Sequence, residues 1–214
     1  MNLLLKSIVA GGALAMACAT HAAILFSQPY DGFGNLYASQ NDTNSGGNGQ
    51  FAQVWDDFTL SSASNLNGVA WTGGYYNPAS PAAISQFFLG IYADAAGTPG
   101  ALMAFGNFAG NAGENCGGGA ICTYSVSFGN YLVGAGTYWV SLVPDIGYPP
   151  QWGWATSATG TNNAVQAFFG TTTSIGANMA FDIMGAPVPE PETYALMLAG
   201  LGGLALAARR RKQG

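Results

Sequence analysis

Apolar and polar residues alternate along Thr123-Tyr124-Ser125-Val126-Ser127-Phe128, which sets Tyr124, Val126 and Phe128 on one face of an extended segment. Thr137–Val143 and Ala180–Met184 show the same period of two, and Phe87–Tyr92 is a short apolar run. Val54–Leu60, Leu66–Thr72, Leu102–Asn107 and Ala164–Phe169 complete the candidate strands. Turn chemistry separates them, most clearly Asp94 to Gly100, and the polar stretch Asn41–Gln50 reads as a flexible loop. Between Ala23 and Val188 there are 26 glycines, which argues against long helices. The pattern predicts an all-β fold, an antiparallel β-sandwich or jelly roll, with a signal helix before it and a hydrophobic helix after it.

The two ends read differently from the middle. Lys6 precedes an apolar stretch from Ser7 to Ala19, and Thr20-His21-Ala22 offers small residues on the approach to a cut. Those are the parts of a secretory signal peptide, so residues 1–22 are assigned to one. Cys18 lacks the branched apolar residue upstream that a lipoprotein signal carries. At the other end, Tyr194 to Ala208 is 15 residues without a charge, about 22 Å of helix against a hydrocarbon core of about 30 Å. Snorkelling by Arg209, Arg210, Arg211 and Lys212 extends that reach and keeps the cations on the cytoplasmic side. Gly200, Gly202 and Gly203 suit a membrane helix better than a soluble one. The chain divides into residues 1–22, an extracellular domain at 23–187 and a terminal segment at 188–214.

Pro189-Glu190-Pro191, an apolar run and an Arg cluster follow one another at the terminus, extended by Val188 and Glu192. This 27-residue ending resembles the PEP-CTERM sorting signal of Gram-negative bacteria. The resemblance implies recognition by an integral-membrane exosortase, an inner-membrane intermediate and delivery to the cell surface or extracellular matrix, often alongside exopolysaccharide and biofilm. Pro189, Glu190 and Pro191 would be the recognition element, Tyr194 to Ala208 the transmembrane segment and Arg209–Lys212 the retention signal. The prolines are expected to hold the motif extended and free of helix. "VWDDFTL", "GVAWTGGYY" and "GTYWVSLV" are also loosely similar to a β-sandwich domain of secreted bacterial surface proteins, which implies no activity.

Charge then excludes whole classes of function. From Ala23 to Val188 there is no Lys, Arg or His, while eight acids are present: Asp31, Asp42, Asp56, Asp57, Asp94, Glu114, Asp145 and Asp182. Nucleic-acid binding, Ser-His or Cys-His catalysis and phosphoryl transfer all lack the groups they need. A zinc site would have only Cys116 and Cys122, which in an exported protein read as a disulfide closing a seven-residue ring. A carboxylate-dependent glycosidase survives that filter, yet Asp56 and Asp57 are strand neighbours and must point to opposite faces.

The middle segment is therefore expected to be non-enzymatic and without a cofactor. Asp42, Asp56, Asp57 and Asp94 offer oxygens for Ca²⁺, but no EF-hand spacing joins them and solvated turns are the favoured reading. Aromatic residues suggest a carbohydrate-binding module as the alternative function. Trp139 reads as core, while Trp152 and Trp154, beside Pro149-Pro150, read as surface candidates for stacking on sugar rings.

Overall fold

A computed structural model describes residues 23–189 and 191–211. The expected signal peptide at 1–22, Glu190 and Lys212 lie outside the described residues. In chain order the strands are β1 (Ala23–Gln28), β2 (Leu36–Ala38), β3 (Gln40–Asp42), β4 (Gly49–Leu60), β5 (Ser64–Tyr76), β6 (Gln86–Asp94) and β7 (Pro99–Ala109). They continue with β8 (Ile121–Val133), β9 (Gly136–Asp145), β10 (Gln151–Ser157), β11 (Val165–Phe168), β12 (Thr171–Ser174), β13 (Asn178–Met179) and β14 (Phe181–Pro187). A helix, α1 (Pro191–Arg211), follows.

The fold is all-β. One sheet runs β1-β14-β5-β10-β13, with β8 along β5 and β2 along β10; the other runs β12-β11-β4-β3-β9-β6-β7. Pairing is antiparallel throughout, apart from one parallel contact between β3 and β9. The period-two segments supply the core between the sheets. Val54, Phe58 and Leu60 of β4, Phe87, Leu89 and Ile91 of β6, and Val140 and Leu142 of β9 meet Trp71, Tyr124, Trp152 and Phe181 from the opposite sheet. Trp71 stacks on Tyr124 at 5.5 Å, and Phe87 stands edge-on to both rings and to Trp152. Gly73 makes this arrangement feasible, because any side chain there would run into the Trp152 indole.

One expectation holds with a difference of face, and one needs correcting. Trp139 is buried as read, but it faces away from the inter-sheet core, beside Asp57 and Tyr92 in register, and its indole donates to Asp94 at 2.8 Å. The stretch 41–50 is polar but tied down. Asp42 is buried and accepts backbone N–H groups of Asn44, Asn48 and Tyr148 at 3.1, 2.8 and 3.0 Å. Burial raises that carboxyl and the N–H bonds outweigh it, leaving its pKa below the usual value.

The chain changes sheets at Ser39, between β2 and β3. The Ser39 hydroxyl donates to the Leu142 carbonyl at 2.6 Å and accepts from the Val54 N–H. Gln40 reaches across the same corner, donating to the Ile146 and Pro150 carbonyls and accepting the Trp152 N–H at 2.8 Å. Those bonds fasten residues 146–152 to the crossing strand.

Asp56 lies on the inward face of β4, fully buried. Its oxygens accept the N–H of Met179 at 2.6 Å and of Asp57 at 3.0 Å. The Gln28 amide, oriented to satisfy both its ends, donates to the same carboxyl at 2.8 Å. Burial pushes Asp56 up to about 8, the two N–H bonds offsetting only part of that rise. A carboxyl held neutral by the fold but ionised in the unfolded chain contributes stability below its unfolded pKa and loses it as pH climbs through the folded one. No His titrates in the described domain to mask the effect. Denaturant unfolding should therefore show stability falling from roughly pH 4 to pH 8, and Asp56→Asn should flatten that slope.

Candidate functional site

Two parts of the molecule carry candidate function: the terminal segment and a rim where the two sheets meet. β14 ends at Pro187, and the Val188 N–H bonds the Ala63 carbonyl at 2.8 Å, the last backbone tie in this stretch. The helix then starts at Pro191, inside the motif expected to stay extended. Proline is tolerated there because the first helical turn leaves its N–H groups unpaired in any case. Leu196, Met197, Leu198, Leu201 and Leu204 are all exposed along α1, so these residues do not pack into a core. No helix among the described residues is long and apolar enough to cross a membrane. Ala208, Arg209 and Arg210 are exposed near the helix end, where cations complement the partial negative charge of its carbonyls. Arg211 is its last residue.

Cys116 and Cys122 are joined as a disulfide, fastening the turn before β8. Closing so short a loop contributes about 2 kcal/mol. Glu114 lies beside it and accepts hydrogen bonds from the Tyr75 and Tyr124 hydroxyls and from the Asn111 amide. These are the one set of three metal-competent ligand groups gathered among the described residues, and the disulfide consumes both sulfurs. Asp42, Asp56, Asp57 and Asp94 are not brought together. Asp57 points away from Asp56, as alternation requires, and accepts the Thr161 hydroxyl at 2.6 Å. Asp94 accepts the Trp139 indole and the Gly97 N–H.

Trp152 and Trp154 are not surface residues. Each is 0% exposed, with Trp152 Nε1 donating to the Tyr124 hydroxyl and Trp154 Nε1 to the Ala180 carbonyl. In register on β5, Trp152 lies opposite Tyr75 and Trp154 opposite Gly73, and the missing side chain of Gly73 leaves room for the Trp152 indole inside the sandwich. The exposed aromatic surface lies one residue away. Gln151 pairs with Tyr76 on the other face of β10, and Tyr148 precedes it in the loop. A cleft of about 240 Å³ is lined by Tyr37, Tyr76, Gln151, Gln166 and Phe168. A second, of about 190 Å³, adjoins it through Gln151 and Phe168 and adds Asn48, Phe51, Tyr148 and Phe169. Burial, then the neighbouring Tyr148, pushes Tyr76 up to about 12, so its phenol is neutral at physiological pH. None of the residues lining either cleft is charged. The sequence signal for this rim was the Phe168-Phe169 pair, which reads as strand until its turn is seen.

Residues 187–212 match the family model of the PEP-CTERM protein-sorting motif. The chain carries a PEP-CTERM motif. That motif implies export to the cell surface and processing by an exosortase. No curated protein matches the sequence. Among solved structures, the cysteine protease and lectin-like domains of Cwp84, a surface layer associated protein of Clostridium difficile, are similar at 11% identity and a TM-score of 0.43. The match covers 64% of this chain and 32% of that one.

Trp152→Ala should behave as a core truncation, costing about 3–5 kcal/mol. Denaturant unfolding would register this as a lower midpoint, whatever ligand is present.

Proposed function

We propose that this PEP-CTERM protein is a non-enzymatic component of the bacterial surface or extracellular matrix, a disulfide-fastened β-sandwich delivered by its tail. The observation that carries this reading is the motif at residues 187–212 on a chain whose cations all lie in its two terminal segments. In a Gram-negative cell, α1 associates with the inner membrane through its exposed leucines, and its cationic end stays on the cytoplasmic side. Exosortase then acts at the Pro189–Pro191 motif, and the released domain joins an exopolysaccharide-rich matrix.

A non-enzymatic role is supported by the acids themselves. Asp42, Asp56 and Glu114 are engaged by structural donors, and the domain has no His, Lys or Arg to act as a base or clamp. The paired, uncharged aromatic clefts favour a second reading, in which the same domain is a carbohydrate-binding module.

The sorting account is tested by following the tagged protein through membrane and surface fractions of its host. Substituting Ala at both Pro189 and Pro191, or deleting the exosortase, should leave an unprocessed form in the membrane fraction. Surface display at wild-type levels in both strains would remove the account.

A further inference from the structure

We propose that the rim between the 148–151 loop and the β11–β12 hairpin binds a neutral polysaccharide, with neighbouring sugar units in the two clefts and Phe169 as the stacking platform. This rests on the carbohydrate-binding reading above and assigns it a site, a ligand class and roles.

The strongest observation is the backbone of Phe169. β11 and β12 are joined by the two-residue turn Phe169-Gly170, with φ of 45° and 79°. Turns with two left-handed residues favour Asn or Asp followed by Gly, because bulky side chains crowd the backbone at positive φ. A phenylalanine here opposes the local preference, yet its ring is 61% exposed. Phe51 supports one side of it at 5.2 Å, and Phe168 meets it edge-on at 5.0 Å. Folding alone gives little reason to hold a large apolar ring outward in a strained turn. Strain retained at an exposed position is typical of binding sites.

The surroundings suit a sugar better than an apolar partner. Phe168 and Tyr148 are 41% and 40% exposed, so aromatic faces continue along the rim. Amides of Gln151, Gln166 and Asn48 are interleaved with them. Gln166 donates to the Ala38 carbonyl at 2.9 Å, which leaves its own oxygen as an acceptor. Aromatic faces cover the C–H surface of a pyranose, while amides and the neutral Tyr76 phenol exchange hydrogen bonds with its hydroxyls.

Charge selects the ligand class. The rim offers no cation to a uronate, sulfate or phosphate group, and the surrounding domain is acidic. An anionic chain would meet repulsion with no compensating ion pair, whereas a neutral one meets none. Asp42 is a positioning residue: by accepting the Asn48 and Tyr148 N–H groups it fixes both flanks of the second cleft.

The test uses the exported protein and isothermal titration with soluble glucan, galactan and mannan, plus a polyuronate as the charged comparison. Wild type should bind at least one neutral polymer and not the polyuronate. Phe169→Asn should weaken that binding by at least about tenfold while the thermal midpoint holds or rises, since Asn suits the left-handed turn. Gln151→Ala, on the outward face of β10, should weaken it several-fold with the fold intact. Wild type binding none of the polymers would remove the carbohydrate reading and this site with it. Binding unchanged in both variants would leave that reading standing and overturn the site, and preference for the polyuronate would overturn the ligand class.

Discussion

Every acid in the domain has to be satisfied without a cation, and much of the structure follows from that constraint. Eight acidic side chains occupy a segment with no Lys, Arg or His. Each is met by neutral donors: Asp31 by Thr156, Asp42 by loop N–H groups, Asp56 by Met179, Asp57 by Thr161 and Asp94 by Trp139. Glu114 takes two tyrosines, Asp145 takes Asn41 and Gln86, and Asp182 takes Ser27. These bonds are directional and local, unlike ion pairs. They turn several of the acids into loop clamps.

The candidate site inherits its rigidity from the core beside it. Trp152 and Gln151 are consecutive on β10, so burying the indole among Tyr124, Phe87 and Gly73 obliges the amide to face out beside Tyr76. The Gln40 side chain holds the backbone on both sides of this pair, through Pro150 O and Trp152 N–H. A one-residue slip of β10 would exchange core for rim, which the inward packing of two tryptophans opposes strongly. The rim is thus built on strands and clamped loops, and less ligand-binding energy is lost to ordering it.

The tail obeys different physics. Leu196, Leu198, Leu201 and Leu204 are exposed on α1, and the cations that the domain lacks follow them in the chain. Among the described residues, the backbone bond from Val188 to the Ala63 carbonyl ties the end of β14 to the domain just before the motif.

Periodicity and composition showed the all-β class and the longer strands β4 to β9, the pairing of Cys116 with Cys122 was legible from their short spacing in an exported chain, and the terminal motif from its resemblance to a sorting signal, because each depends on residues close together in the chain. Alternation likewise separated Asp56 from Asp57 before any partner was known. Local residues placed Trp152 and Trp154 at the surface beside Pro149-Pro150, since what buries them is a second sheet contributed by residues far away. The tertiary structure decided that point, burying both indoles opposite Gly73 and leaving the outward role to Gln151, Tyr148 and Phe169. Trp139 shows the same limit: its burial followed from its strand, but the side of the sheet that covers it did not. Local spacing fixes which residues point together, and only the packing of distant strands fixes what they point at.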